Sequence, residues 1–389
     1  MARFFRRLIC LLGAGVLLAG GPGRALAAPL EAEPPMTLTA PSVLLMEAET
    51  GTVIFEKNAQ EQRPVASVTK LMTLLLALEK LDRGEMALED RITVSPQAAA
   101  QPGSQAFLDA GSAYPVKDLL KATVIASAND GAAALAEYIA GTEEAFAAQM
   151  NARAAELGLQ NTHYVNCTGL PAPGQYTCAR DVAEIARLLA GNPTYLAYSS
   201  TWLDTLTHPS GRVTDLTNTN RLVRFYPDCD GLKTGSTSEA KYCLAATAQR
   251  GGTRLIAVVL GAPTSQTRFD EARAMLDYGF ANYARSTVAQ KGDLLGMQVP
   301  VKLGVRDGVD AALGAGLSLL LRSGQQGQLR FEARLPEFVT APVDKGEPLG
   351  TALVLLNDRV IAELPVVAAQ SVPLPGLLSG FLRIWENWR

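Results

Sequence analysis

The order in which local patterns succeed one another restricts this 389-residue chain more than any single residue does. Residues 42–55 alternate apolar side chains around Glu49-Thr50-Gly51, which predicts a hairpin. Residues 67–80 then take a helical period, with Leu71, Leu74, Leu75 and Leu78 on one face. Ala-rich helical stretches follow at 116–128, 131–140 and 143–157, and a shorter one at 181–189. At Gly231-Leu232-Lys233-Thr234-Gly235 the texture changes, and two β-type runs, 242–248 and 255–260, precede a return to helical periodicity over 266–283. Strands, many helices, strands and a helix in that order predict one α+β domain over 37–285, an antiparallel sheet covered by helices.

The flanks differ. Residues 292–369 show short β-type runs punctuated by Gly, Pro and Asp, clearest at 329–335 and 351–356, which predicts a small all-β domain over 290–370. In 371–389, Leu374, Leu377, Leu378, Phe381, Leu382, Trp385 and Trp388 recur at spacings of three and four. Such a Trp-rich amphipathic helix suits a membrane interface and is too short and polar to span; docking on its own β domain is the other reading. At the other end, Arg3, Arg6 and Arg7 precede an apolar stretch over 8–19, and Ala25-Leu26-Ala27 supplies a small-x-small cleavage pattern. The expectation is a signal peptide over 1–27, a flexible leader over 28–36 and an exported protein.

Without residues 1–27, which hold four arginines and no acid, 31 basic residues stand against 38 acidic ones. That balance gives no electrostatic case for a nucleic-acid partner. Only two histidines, His163 and His208, are present, which argues against a histidine-rich metal centre and a Ser-His-Asp triad. No metal or cofactor is expected. Cys167, Cys178, Cys229 and Cys243 lack C-x-x-C spacing and leave free thiols and a bridge both open.

Three short motifs carry the chemistry. Ser67-Val68-Thr69-Lys70 is S-x-x-K at the start of a long helix, Ser127-Ala128-Asn129 is S-x-N at the end of an apolar helical run, and Lys233-Thr234-Gly235 is K-T-G entering a strand. Residues i and i+3 share a helical face, so the Lys70 amine can reach the Ser67 hydroxyl. A serine at a helix N-terminus also has backbone N–H groups and the positive dipole end beside it, which suits an oxyanion. To act as base near neutral pH, lysine must fall from a free pKa of about 10.4. Burial and a second cation push that way, and Lys233 is the candidate cation. Taken singly each motif is weak: Ser127 fits a helix cap, and Lys233 a solvated strand edge. Three in this order, each at a structural junction, are far more restrictive.

At these residues the chain resembles the D-alanyl-D-alanine carboxypeptidases, the low-molecular-mass penicillin-binding proteins. The likeness extends over 64–73 (PVASVTKLMT), 118–131 (ending IASANDG), 161–166 (NTHYVN) and 231–246 (GLKTGSTSEAKYCLAA). It implies a β-lactamase/transpeptidase-like domain, followed by the family's usual β domain and amphipathic tail. It also implies a place at the outer face of the cytoplasmic membrane or in the cell wall. The substrate would be a peptidoglycan stem peptide ending in D-Ala-D-Ala, and β-lactams would be covalent inhibitors. Ser67 would be the nucleophile, Lys70 its base and Ser127 a proton relay. Asn129 would orient the substrate amide, while Lys233, Thr234 and Arg268 would hold its terminal carboxylate. The backbone N–H groups of Ser67 and Ser236 would form the oxyanion hole. Two residues depart from the pattern: Lys241 stands where the family commonly has Gly, and Cys243 follows it closely.

Two other readings share these motifs. A class A β-lactamase adds a glutamate in E-x-x-L-N, for which Glu156 and Glu184 are the positional candidates, neither in that context. A non-catalytic penicillin-binding sensor or wall-binding module would keep the fold without turnover.

Overall fold

A computed structural model describes residues 30–376, so the expected signal peptide and the tail beyond 376 lie outside the described residues. The chain divides into two units, the boundary falling between Asn282 and Tyr283.

The first unit is built on a five-stranded antiparallel sheet. Its strands are β1 (Ser42–Glu47), β2 (Val53–Lys57), β3 (Cys229–Thr237), β4 (Lys241–Arg250) and β5 (Thr253–Ala262), in the spatial order β2-β1-β5-β4-β3. The two outer pieces of sequence thus meet at the centre, where β1 pairs with β5. Leu255 to Leu260 is apolar without interruption because both faces of β5 are covered. Leu44, Met46, Ile256 and Val258 join the main core, while Leu45 and Leu255 pack near Gly279 on the opposite face, as the two-residue period of a strand requires.

That core is filled by helices α1 (Lys70–Asp82), α2 (Val116–Ile125), α3 (Asn129–Ala140), α4 (Glu143–Glu156) and α5 (Ala179–Ala190). Helix α6 (Ser265–Asn282) packs on β4 and β5. Two expectations need correction here. Helix α1 is not a one-faced stripe: every residue from Lys70 to Leu78 is buried, since helices and sheet surround it. Nor is Ser67 inside it, because Ala66–Thr69 forms a 3-10 turn and the α-helix starts at Lys70.

The leader expected to be flexible is tied down where it is described. Leu30 and Glu31 donate backbone N–H groups to the carbonyls of Val53 and Ile54. Strand β2 is a sheet edge with free backbone groups, and the leader satisfies them. The four cysteines named above are all buried free thiols.

The second unit comprises β6 (Tyr283–Ala289), β7 (Leu294–Lys302), β8 (Gly308–Leu313), β9 (Leu317–Arg322), β10 (Leu329–Arg334), β11 (Val339–Thr340), β12 (Pro348–Leu356) and β13 (Arg359–Ala368). Six of these form one sheet, β10-β12-β13-β8-β7-β11, and β6 pairs with β9. Val309, Leu313, Val354 and Val366 lie in a core of its own.

Candidate active site

Ser67 lies in the 3-10 turn that leads into α1, and Lys70 is the first residue of that helix. With three residues per turn, positions 67 and 70 eclipse, which brings their side chains together more directly than an α-helix does. The Nζ of Lys70 is 2.9 Å from Ser67 Oγ and donates to the Thr168 carbonyl at 2.7 Å. Lys70 has no solvent exposure. Its pKa falls from 10.5 to about 7, chiefly through burial, opposed by Cys167 and Asp130. Burial and the Glu143 carboxylate hold the Cys167 thiol well above its usual range.

Ser127 occupies the break between α2 and α3 at φ 63°, a left-handed conformation. It does not cap α3, where no side-chain cap forms. Instead Ser127 Oγ accepts from Lys233 Nζ at 2.7 Å. Lys233 is buried in β3, and its pKa is pushed well down by burial and then by the Lys70 and Arg268 charges. The expected influence of Lys233 on Lys70 is therefore corrected: burial dominates at Lys70, and the cation effect is felt at Lys233.

Asn129 begins α3 with its Nδ2 donating to the Pro102 carbonyl at 2.5 Å. Its Oδ1 is buried without a hydrogen-bond partner. Asp130 anchors the loop in front of it, accepting from the backbones of Ala106, Leu108 and Gly131 at 2.9–3.0 Å. Thr234 donates to Thr219 at 2.7 Å, and Ser236 is exposed on β3 opposite Tyr242.

Arg268 is braced against the β3–β4 backbone through one nitrogen: its Nη1 donates to the carbonyls of Gly235 and Cys243, at 3.1 and 3.3 Å, while its Nε is buried without a hydrogen-bond partner. Burial lowers its pKa to about 10. The two histidines take no part: His208 is held in the interior by Tyr114 and Thr214, and His163 bonds the Gly174 carbonyl.

Several site residues carry no local signal in the sequence. Thr168 and Thr219 reach the site only through tertiary contact. Two glycines set how close the layers come. A Cβ on Gly235 would lie 2.3 Å from the Val65 carbonyl and 3.0 Å from Ser67 N, and one on Gly169 would lie 1.9 Å from the Ala66 carbonyl. Gly235 stands in a motif, whereas Gly169 has no such flag.

A serine beside a buried amine whose pKa is lowered to about 7, with a second serine–lysine pair nearby, defines a serine acyl-transfer enzyme on an α+β scaffold. Comparison with known proteins narrows the class. The family described as D-alanyl-D-alanine carboxypeptidase matches residues 28–264, and the C-terminal domain of penicillin-binding protein 5 matches residues 283–374. D-alanyl-D-alanine carboxypeptidase DacF of Bacillus subtilis is 38% identical over 350 residues, 90% of each chain. DacC of Escherichia coli is 34% identical over 387 residues, covering 95% of this chain and 94% of the relative. Penicillin-binding protein 5 of Haemophilus influenzae superposes with a TM-score of 0.75 at 29% identity, over 87% of this chain and 99% of that one. The chain belongs to the D-alanyl-D-alanine carboxypeptidase family, whose fold it shares in both units.

Proposed function

We propose that this enzyme removes the terminal D-Ala from peptidoglycan stem peptides through an acyl-enzyme on Ser67. The observation that carries the reading is the buried Lys70 amine 2.9 Å from Ser67 Oγ, with the Ser127–Lys233 pair at 2.7 Å completing the cleft. With Lys70 neutral, the Ser67 O–H donates to the Nζ lone pair. Oγ attacks the penultimate D-Ala carbonyl, and its proton passes to Nζ. The carbonyl electrons shift onto oxygen, facing the backbone N–H groups of Ser67 and Ser236. Collapse breaks the peptide bond, and the departing amine takes the proton held on Lys70 Nζ, relayed through Ser127, which Lys233 holds by its hydrogen bond, so that Lys70 is neutral again. Water then attacks the ester as Lys70 accepts its proton, and Lys70 returns that proton to Oγ as the ester bond breaks, restoring Ser67. Thr234 and Lys233 receive the terminal carboxylate, and the open Oδ1 of Asn129 receives a substrate amide N–H. Arg268 supports the carboxylate site through charge and by bracing β3. A β-lactam acylates Ser67 because it imitates the end of the substrate.

The β-lactamase reading has no support at its candidate glutamates, since Glu156 is paired with Arg153 and Glu184 with Arg187. The proposed organisation is a signal peptide over 1–27, the catalytic domain over 37–285, the β domain over 290–370 and an interfacial tail over 371–389, placing the enzyme outside the cytoplasmic membrane. Among the described residues no helix is long and apolar enough to cross a membrane.

Mass spectrometry of a pentapeptide muropeptide incubated with the protein tests the reading. Loss of one D-Ala is expected with wild type and none with Ser67→Ala; equal activity in both would overturn it.

A further inference from the structure

Lys70 needs more than burial to work as a base, because its lone pair must also face Ser67. A neutral amine has two N–H bonds and one lone pair, so holding an N–H turns the lone pair to a set direction. Nζ has a partner of that kind in the Thr168 carbonyl at 2.7 Å, supplied from 98 residues along the chain. Whatever holds that carbonyl therefore aims the base.

The carbonyl belongs to the peptide joining Thr168 to Gly169, and a peptide is a rigid plane with its C=O and N–H on opposite edges. The N–H of that plane donates to Asn166 Oδ1 at 2.7 Å. The same oxygen accepts from the Thr168 N–H and from Thr168 Oγ1, each at 3.2 Å, while Asn166 Nδ2 donates to the Leu170 carbonyl at 2.9 Å. Gln175 steadies this side chain, its Nε2 donating to Asn166 Oδ1 at 3.3 Å and its Oε1 accepting the Asn166 N–H at 2.9 Å. Gly169, at φ 84°, lies against the turn that carries Ser67, with no room for a Cβ beside the Ala66 carbonyl. The plane thus meets Lys70 on its C=O edge and Asn166 on its N–H edge. The preceding peptide has its own hold, Thr73 Oγ1 on the Cys167 carbonyl at 2.7 Å.

We infer that Asn166 is a positioning residue for the base: through the Thr168–Gly169 peptide it directs the Lys70 lone pair at the Ser67 hydroxyl. The inference rests on the reading of Lys70 as base. A peptide whose N–H is donating offers a stronger C=O acceptor. Such an acceptor favours the protonated amine over the neutral one. Around Lys70 also stand Cys167 and Asp130, which raise its proton affinity, and Lys233, which feels its charge. Removing the Asn166 amide therefore lowers both the rate and the pH of the acid limb. An aspartate keeps the acceptor and adds a negative charge, so it keeps the rate and raises the limb.

The test is stopped-flow acylation by a penicillin reporter across the pH range, on wild type, Asn166→Ala and Asn166→Asp. In the alanine variant the high-pH plateau should fall about 30-fold or more, the scale of a misplaced reacting group. Its acid limb should move down by about half a pH unit, the difference between hydrogen bonds to charged and to neutral groups. In the aspartate variant the plateau should stay within about fivefold of wild type, since a carboxylate accepts the same N–H groups, and the limb should move up. An alanine plateau within about threefold of wild type overturns the inference, because a displaced base costs far more. A plateau lowered equally in both variants overturns it too, as the mark of a loop merely loosened. Acid limbs that do not part, or that part the other way, overturn it as well. A wild-type profile without an acid limb defeats Lys70 as base, and with it the reading beneath the inference. Thermal unfolding of each variant separates a lost rate from a lost fold, and the limb of the aspartate variant decides alone if the alanine one fails to fold.

Discussion

Lys70 shows how a single position sets both rate and stability. Its folded pKa of about 7 lies below the ordinary lysine value of 10.5, so the unfolded chain binds more protons between those values and stability rises with pH across that window. Below pH 7 the full penalty is present, about 5 kcal/mol at about 1.36 kcal/mol for each tenfold change in proton affinity. Catalysis has the same origin, because only the neutral amine can accept the Ser67 proton. Acylation by a penicillin reporter should therefore fall about tenfold per pH unit below pH 7, and stopped-flow rates that stay flat from pH 5 to 7 would remove Lys70 as base. Lys70→Met should abolish acylation yet raise the thermal midpoint at pH 6. Lys241 offers a second test at this scale. It adopts φ 55°, a conformation costly to any residue with a Cβ. Lys241→Gly should stabilise the protein by about 0.5–1 kcal/mol in denaturant unfolding.

Between elements, the site depends on how closely the 3-10 turn meets β3. The Cβ distances at Gly235 and Gly169 both point at backbone, which cannot swing aside as a flexible side chain can. Gly235→Ala should push β3 from Ser67 and cut acylation by more than about 100-fold, the scale of loss from a displacement near 1 Å. A Gly235→Ala enzyme within threefold of wild type would show that this contact does not position the nucleophile. The Asp130 clamp is the other junction, linking α3 to the loop over Ala106 and Leu108. Asp130→Ala leaves buried N–H groups without an acceptor and should cost about 3 kcal/mol, measured by urea unfolding.

At the scale of the whole molecule, each unit has its own buried apolar cluster, one from β1 to β5 and one from β7 to β13. A chain ending at Asn282 should therefore fold and keep penicillin acylation within about threefold, whereas one beginning at Tyr283 should bind none; loss of folding in the first fragment would contradict the separate cores. The segmentation was legible because periodicity is a local property. The run over 255–260 showed a strand, and the alanine-rich blocks showed the helices packed on the sheet. Less visible were the short hairpin of Leu203–Thr207 with Val213–Thr217, whose strands alternate weakly, and the docking of the leader, which depends on the free edge of β2.

The amino-acid sequence alone determined which residues could do chemistry: Ser67 and Lys70 three apart, Ser127 and Asn129 at a helix break, Lys233 and Thr234 entering a strand. Spacing of that kind is covalent, so it can be read without coordinates. Only the tertiary structure decided the electrostatics and the closeness of approach. Burial, rather than Lys233, lowers Lys70; Arg268 Nη1 braces the Gly235 and Cys243 carbonyls; and Thr168, Thr219 and Gly169 enter the site from distant positions. Desolvation and contact are properties of the packed interior, created when chain segments remote in sequence exclude water from one another.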